Sequence, residues 1–421
     1  MLFIISIIFL AFFLYDSLII KKYYSVSTFI FLGIIVPLTL YDFEWSYLII
    51  KERSFYFVYT FTCLCIVYSI YHLLTKNLRI SSFIAQDRIK FKKTGIFLVK
   101  IINISFVLLY LFENYLGSGY IIPTLKGIDI HTFSFPIISY FTNSFYTVIV
   151  IDYFAWKASS KKKYIIWSIA IILIPFITRA SRMQSVIAIF SVLSLILFFE
   201  AGSAKGNAVK EKHFKKMRQM IFISLILLIG GLIALTTYRM NHFGVYNLSY
   251  ANEIGYCGPE ILEFLSPYYG YFPLSFNNLN GNMLMQNVEH NYIGLYSFSC
   301  FYYGLLQLDN ILSINQYQYL VGRYITTPSA TVATGFWEYY YDFGILCFIP
   351  VVIALIVCYF LLKCSSREKR RLTFRTLYFW YVPLWFFMSF QNVLFGPIIL
   401  VNGIILAFLI SIIFKVERII E

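Results

Sequence analysis

The amino-acid sequence predicts an all-α, polytopic integral membrane protein with about 11 transmembrane helices and one large outer loop. Of its 421 residues, 60% are hydrophobic and only 13% are charged, whereas soluble domains carry roughly a quarter charged residues. Apolar segments about long enough to cross a hydrocarbon core of ~30 Å recur along the chain. Basic residues gather in every other loop between these segments, and so on one side of the membrane, as they do in membrane proteins.

The apolar segments define 11 predicted spans. They lie at about residues 2–20, 24–41, 55–74, 95–115, 131–156, 164–179, 183–199, 220–238, 336–362, 376–395 and 397–415. We expect the first span to be retained, because residues 1–20 lack the basic start and the small-residue cleavage site of a signal peptide.

The basic clusters predict the orientation of the spans. Six clusters, at residues 21–22, 76–93, 157–163, 205–218, 363–375 and 415–418, hold 26 of the 34 Lys and Arg residues. Placing them in the cytoplasm puts the N-terminus outside and the C-terminus inside. A twelfth span over residues 291–308 would move the cluster at 363–375 outside. We therefore expect residues 291–308 to form an interfacial or re-entrant helix.

This layout predicts three parts: a bundle of about eight spans at 1–238, a large outer loop with interfacial helices at 239–335, and three further spans at 336–421. Loops of this length without regular structure are uncommon unless they are functional. The net charge of +14 follows from the basic cytoplasmic loops, so no nucleic-acid partner is expected. The seven cysteines are too scattered for a metal site. Cys257 and Cys300 share the outer loop, either as a disulfide or as two free thiols.

Four arginines break the charge pattern because they lie on the outer side: Arg179, Arg182, Arg239 and Arg323. The guanidinium group is a planar, always-charged fork that suits phosphate oxygens. Arg179 and Arg182 flank the turn between spans six and seven, where a helix N-terminus also favours an anion. The alternative for these side chains is anchoring at lipid headgroups, and for Arg323 a solvated loop position.

Candidate acid–base residues lie at the end of the outer loop and at the start of span nine. Glu338 and Asp342 are four residues apart, so one helical face presents both carboxyl groups. Either could orient an arginine or act as a general base toward a sugar hydroxyl, with Asp342 favoured because it lies deeper. The alternative is an acidic first helical turn beside an aromatic belt. His290 is a further candidate base, with a structural loop histidine as its alternative.

Three short patterns resemble the oligosaccharide repeat unit polymerases of the Wzy type, the O-antigen and capsule polymerases of bacteria. They are Ser181-Arg182 opening a span, Tyr238-Arg239 closing the span before the large loop, and the stretch 335–344 with Tyr-Asp-Phe-Gly entering the next span. The resemblance covers mainly residues 164–362. It implies a multi-span, GT-C-like, lipid-linked glycosyltransferase in the bacterial cytoplasmic membrane.

The resemblance implies an enzyme that joins undecaprenyl-pyrophosphate-linked repeat units at the outer face of that membrane. Arg179, Arg182, Arg239 and Arg323 would bind the donor pyrophosphate, and Tyr238, Trp337 and Tyr341 would contact sugars. No cofactor is expected, because the sequence lacks nucleotide-binding and metal-ligand patterns. The expected partners are the lipid-linked oligosaccharide and the bilayer, with a chain-length regulator and a flippase as candidates.

Two other functions fit the same layout. An O-antigen ligase would use the same lipid donor with a different acceptor. A lipid-linked oligosaccharide flippase or other transporter would place charged residues along a central cavity, whereas Lys100, Glu113 and Asp152 are the main charged residues within these spans, toward their ends.

Overall fold

The computed structural model describes residues 2–16, 25–78, 87–123, 142, 145–179, 250–285, 288–299, 301–302, 318–328, 332–365 and 371–418. Every structural statement below concerns these residues. Predicted spans seven and eight, at 183–199 and 220–238, lie outside them, as do Arg182, Tyr238 and Arg239.

The described chain is mostly helical, as the sequence predicts. Its α-helices are α1 (Leu2–Leu14), α2 (Val26–Asp42, with a π-helical turn at Phe31–Ile35), α3 (Phe55–Thr75), α4 (Gly95–Ser118), α5 (Phe145–Ser159), α6 (Lys163–Arg179), α7 (Tyr250–Glu253), α8 (Ser266–Tyr271), α9 (Pro273–Met285), α10 (Phe336–Phe343), α11 (Ile349–Ser365), α12 (Arg371–Tyr381) and α13 (Pro397–Ile413). Short 3₁₀ segments occupy Glu260–Leu265, Gln318–Leu320, Gly344–Leu346 and Val382–Ser389.

Two described helices, α3 and α4, are long and apolar enough to cross a membrane by length and composition. A third candidate span combines α10 with α11, which are bent by 110° at the break between them. Shorter apolar helices of 10–17 residues include α1, α2 and parts of α6 and α13. The described residues are therefore consistent with a membrane protein, whereas the number of 11 spans stays a prediction.

The chain divides into two compact units. The first comprises Met1–Asn77, Phe222–Tyr359 and Leu384–Pro397, and the second comprises Leu78–Ile221, Phe360–Pro383 and Ile398–Glu421. The three-part division at residues 238 and 335 concerns membrane sidedness, and it stays a prediction.

Helix α9 forms the centre of the first unit, although its sequence belongs to the predicted outer loop. All 11 residues from Pro273 to Met283 are buried, and α9 packs against α2, α3 and α10. Phe276 contacts the rings of Tyr41 and Phe61. This part of the loop is thus a core element of the unit.

Predicted span nine, at 336–362, is a broken helix in the first unit. The break follows from Gly344, whose backbone has φ +54° and ψ −119°, a conformation that residues with a Cβ atom avoid. A Cβ atom at Gly344 would also lie 2.7 Å from the His290 ring. Both constraints require glycine at the bend. The prediction of one continuous span was therefore too simple.

The expected helix over residues 291–308 does not begin at Asn291. Residues 291–298 form turns, and helical geometry is confined to Ser299 and to 301–302. The reason is that Asn291 and its neighbours bind the end of α10, as described below.

The second unit contains an antiparallel strand pair, so the all-α class holds only as a mostly helical one. Strand β1 (Asp87–Phe91) pairs with β2 (Phe414–Arg418), with Phe91 opposite Phe414. These rings contact Tyr164 and Phe154 of the neighbouring helices. The strands cover part of the basic stretch 76–93 and the last residues of predicted span 11. The short apolar alternation favours strands there because it buries one face of the pair.

Candidate functional site

The three predicted acid–base residues come together in the first unit, around the helix α10. Glu338 and Asp342 lie on α10 itself, and His290 lies on the segment 288–299 that packs against its C-terminal end. The 3₁₀ turn Gln318–Leu320 and Asn392 complete the surroundings. The site is thus built from segments far apart in sequence.

Asp342 is fully buried and holds the segment 291–297 in place. Its carboxylate accepts hydrogen bonds from the Asn291 side chain at 2.6 Å and from the backbone N–H groups of Tyr296 at 3.0 Å and Ser297 at 2.5 Å. The backbone carbonyl of Asp342 accepts a further bond from Tyr292 at 3.0 Å. A carboxylate that binds three donors and has no access to solvent is suited to positioning a loop. It is poorly placed to take a proton from a substrate.

Glu338 has different surroundings, since its side chain is only partly buried. Asn392 Nδ2 donates to Glu338 Oε2 at 2.8 Å, and Asn392 Oδ1 accepts from the Tyr339 hydroxyl at 3.0 Å. Asn392 Nδ2 also donates to the Ser297 carbonyl at 3.0 Å. Since a carbonyl only accepts, this bond fixes the amide orientation so that Asn392 presents its N–H group to Glu338. Tyr319 also hydrogen-bonds Glu338. No ion pair to Glu338 forms within the described part of the chain. Of the two carboxyl groups, Glu338 is therefore the better candidate base.

His290 packs over the bend that follows α10. Its Nδ1 lies 3.1 Å from the Tyr341 carbonyl oxygen, and since a carbonyl only accepts, Nδ1 carries the proton in this hydrogen bond. The ring lies against Tyr340 and over Gly344. This geometry gives His290 a structural position at the bend, next to the carboxyl groups.

The predicted sugar-contacting aromatic residues differ in exposure. Trp337 is 1% exposed, and its indole N–H donates to the Tyr319 carbonyl at 3.0 Å. Tyr341 is half-buried and packs edge-on against Tyr296 and Trp337, at centroid distances of 5.3 and 5.7 Å. Trp337 is therefore a packing residue, whereas Tyr341 can present part of its ring to a ligand.

Arg323 is the one predicted arginine whose side chain the structure describes. It follows the 3₁₀ turn, is partly buried and interacts electrostatically with Tyr319. Partial burial lowers the pKa of its guanidinium group and Tyr319 raises it, but arginine remains a cation at neutral pH because its ordinary pKa lies far above 7. Tyr319 thus interacts with both Arg323 and Glu338.

The other predicted arginines are not brought together with this site by the described residues. Arg179 closes helix α6, and its side chain lies outside the described part. Arg182 and Arg239 lie wholly outside it. The clamp of three arginines stays a prediction. Cys257 is an exposed free thiol. Cys300, with which it could form a disulfide, lies outside the described residues.

Four buried asparagines of α9 form a feature that the sequence did not reveal. Their side chains bind backbone groups of the segment 48–54 and of residues 324, 326 and 332, and two of them also bind the Thr326 hydroxyl. Asn277 bonds Leu48, Ile50 and Thr326; Asn278 bonds Thr326 and Val332; Asn280 bonds Glu52 and Ser54; and Asn282 bonds Tyr324. Such bonds satisfy backbone groups that would otherwise be buried unpaired. The only signal is the unusual run Asn-Asn-Leu-Asn-Gly-Asn within an apolar stretch.

Asn282 fixes the backbone next to Arg323. Its side-chain oxygen accepts from the Tyr324 N–H at 2.8 Å, and its nitrogen donates to the Tyr324 carbonyl at 3.0 Å. One turn of α9 earlier, Asn278 binds the Thr326 N–H at 2.7 Å. These contacts position Arg323 relative to α10, because α9 also packs on α10.

A further arginine in a predicted outer loop, Arg53, is paired within the segment between α2 and α3. Its guanidinium group lies 3.7 Å from Asp42 and 3.7 Å from Glu44, and 4.3 Å from the centre of the Tyr41 ring. Two carboxylates therefore neutralise it, which explains why Arg53 need not bind a phosphate.

No protein-family model, curated protein or solved structure matches this chain. Among the described residues, no group of three or more His, Cys, Asp and Glu side chains is arranged to hold a metal ion.

Proposed function

We propose that this protein is a membrane glycosyltransferase that joins undecaprenyl-pyrophosphate-linked oligosaccharide repeat units into a surface polysaccharide. The observation that carries the proposal is the arrangement of Glu338, Tyr319 and Arg323. Glu338 is a carboxyl group without an ion-pair partner among the described residues, and it hydrogen-bonds Tyr319, which also interacts electrostatically with Arg323. The short patterns at residues 181–182, 238–239 and 335–344 supply the polymerase assignment.

In the proposed reaction, Glu338 takes the proton of a hydroxyl group on the acceptor repeat unit. The hydroxyl oxygen attacks the anomeric carbon of the donor, a glycosidic bond forms, and the bond from that carbon to the pyrophosphate oxygen breaks. A positioned general base contributes about 10²–10⁴-fold to such a step. The pyrophosphate leaves as an anion, whose charge Arg323 and the predicted arginines Arg179, Arg182 and Arg239 stabilise.

The roles of the remaining residues follow from their contacts. Asn392 orients Glu338, and Asp342 and His290 hold the segment 288–299 against α10. Tyr341 presents a ring edge for sugar contact. The bond energy stored in the lipid pyrophosphate drives the transfer, so the proposed reaction needs no nucleotide sugar and no metal.

Deletion of the gene in its host, with gel analysis of surface polysaccharide length, tests the function. A polymerase deletion leaves single repeat units on the surface, and the wild-type gene restores the ladder of chain lengths. A normal ladder after deletion would refute the proposal. Complete loss of surface glycan, including single repeats, would instead indicate a ligase or a flippase.

A further inference from the structure

Two polar residues face each other inside the apolar core of the second unit. Asp152 lies on α5 and Asn103 on α4, and these helices pack together. Asp152 is 0% exposed and Asn103 is 1% exposed. A buried polar pair within predicted spans needs a compensating interaction. The proposed transfer reaction uses neither residue.

The pair is joined by one hydrogen bond and leaves two oxygen atoms without partners. Asn103 Nδ2 donates to Asp152 Oδ1 at 2.8 Å. Asp152 Oδ2 and Asn103 Oδ1 are both buried, and neither has a hydrogen-bond partner among the described residues. Both atoms are acceptors when the carboxyl group is ionised, so neither can satisfy the other. The site therefore lacks one proton donor or one cation.

The surroundings do not supply a cation to balance a charge on Asp152. Helix α5 and the elements packed against it carry four lysines with described side chains: Lys90, Lys100, Lys157 and Lys163. None of these lysines forms an ion pair with Asp152 within 4.0 Å. Tyr164 of the neighbouring helix α6 interacts electrostatically with Asp152. Its hydroxyl group is neutral at pH 7.

Both residues also lie inside their helices, away from the helix termini. Asn103 lies eight residues after the start of α4, which corresponds to about 12 Å along the helix axis. Asp152 lies seven residues before the end of α5, about 10 Å along its axis. An ionised carboxylate that is fully buried is strongly disfavoured unless it is paired.

We propose that Asp152 and Asn103 form a proton-binding site. The proton comes from solvent and resides on Asp152 Oδ2, which donates it to Asn103 Oδ1. Together with the bond from Asn103 Nδ2 to Asp152 Oδ1, this closes a cyclic acid–amide pair with two hydrogen bonds. Every polar atom of the pair is then satisfied, and the net charge is zero. The bound proton stabilises the packing of α4 against α5, because its loss would place an unpaired negative charge between the two helices.

Infrared difference spectroscopy of the full-length protein in lipid vesicles tests the site at neutral pH. Wild-type protein should show a carbonyl band of a protonated carboxylic acid that Asp152→Asn removes. The control Glu44→Gln, which changes a partly exposed carboxyl group paired with Arg53, should keep the band. Asn103→Leu should shift the band toward the frequency of an acid without a hydrogen-bond acceptor.

Two results would overturn the proposal. The first is a spectrum in which Asp152→Asn removes a carboxylate band and no acid band. The second is loss of the acid band on adding sodium chloride at constant pH, which would show that the two oxygens bind an alkali cation. Should Asp152→Asn fail to fold, the band shift in Asn103→Leu decides the matter, since an unshifted band contradicts the pairing.

Discussion

The two carboxyl groups of α10 have different surroundings although they lie one helical turn apart. Asp342 accepts three hydrogen bonds and is fully buried, whereas Glu338 is partly exposed and bonds Asn392 and Tyr319. The sequence favours Asp342 as the base because it lies deeper in the predicted span. Hydrogen-bond partners reverse that order, and they come from segments that spacing along one helix cannot reveal.

Glu338→Gln should abolish polymer formation while leaving the fold intact. The glutamine keeps the size of the side chain and its hydrogen bonds but cannot take a proton, so the rate should fall by about 10²–10⁴-fold. The measurement is the length distribution of surface polysaccharide in a deletion strain that carries the variant. Glu289→Gln, an exposed carboxyl group in the same loop, is the matched control. Full-length polymer from Glu338→Gln would exclude it as the base.

Asp342→Asn should act on stability instead. The amide nitrogen would face backbone N–H donors, so the hydrogen bonds to a charged acceptor, each contributing about 1.5–3 kcal/mol, would be weakened or lost. Thermal unfolding in detergent should show a lower midpoint for Asp342→Asn than for wild type or Glu338→Gln. Equal midpoints for the two variants would contradict the division of roles between these residues.

At the scale of elements, α9 links the segments 48–54 and 324–332 through its asparagines. Gly281 allows this approach, since a Cβ atom there would lie 2.3 Å from the Tyr324 ring. Asn282 contributes both bonds to the backbone of Tyr324, next to Arg323. The element therefore positions a charged residue of the site from the core of the unit.

Asn282→Leu should destabilise the protein, because it leaves the partly buried Tyr324 N–H and carbonyl groups without these hydrogen bonds, at a cost of up to about 1–3 kcal/mol each. Polymer length should also fall, since Arg323 loses its support. Unfolding midpoints and polysaccharide ladders measure the two effects. Asn77→Leu makes the same change at an exposed position and should shift stability by less than about 0.5 kcal/mol. If Asn282→Leu were as stable as the Asn77→Leu control, the hydrogen bonds of Asn282 would contribute little to the stability of the protein.

Gly344→Ala should disturb the bend between α10 and α11. The positive φ costs an L-residue about 1–3 kcal/mol, and the added methyl group collides with the His290 ring. We expect a lower unfolding midpoint and shorter polysaccharide. Gly119→Ala is the control, because Gly119 has φ +74° but open space around it. This variant introduces the backbone strain without a collision. An effect no larger than that of Gly119→Ala would show that contact with His290 is unimportant.

Particular elements show what the sequence could predict. Helices α3, α4 and α6 lie close to the predicted segments 55–74, 95–115 and 164–179, because long apolar runs determine them locally. The strand pair was missed, since Phe91 and Phe414 meet only through long-range pairing. Helix α9 was missed because asparagine and glycine usually signal turns. The sequence offers His290, Glu338 and Asp342 as alternative bases, whereas their different surroundings depend on tertiary contacts.

For the whole molecule, the alternation of basic loops predicts which surfaces face outward. Cys257 is an exposed thiol in the predicted outer loop, and Lys415 is an exposed residue on the predicted cytoplasmic side. A membrane-impermeant maleimide should therefore label Cys257 in intact cells of a Cys300→Ser variant. It should label Lys415→Cys, made in a Cys257→Ser, Cys300→Ser background, only after permeabilisation. The opposite labelling pattern would show that the topology is inverted and that the proposed site lies in the cytoplasm.

The central claim is polymerisation of a lipid-linked repeat unit by this chain, and purified protein in lipid vesicles tests it most directly. Supplied only with undecaprenyl-pyrophosphate-linked repeat units, a chelator and no nucleotide sugar, wild-type protein should produce a ladder of lipid-linked oligomers and release undecaprenyl pyrophosphate. Glu338→Gln should leave the single repeat unit unchanged. The absence of oligomers with folded wild-type protein, or a strict requirement for a nucleotide sugar, would contradict the account.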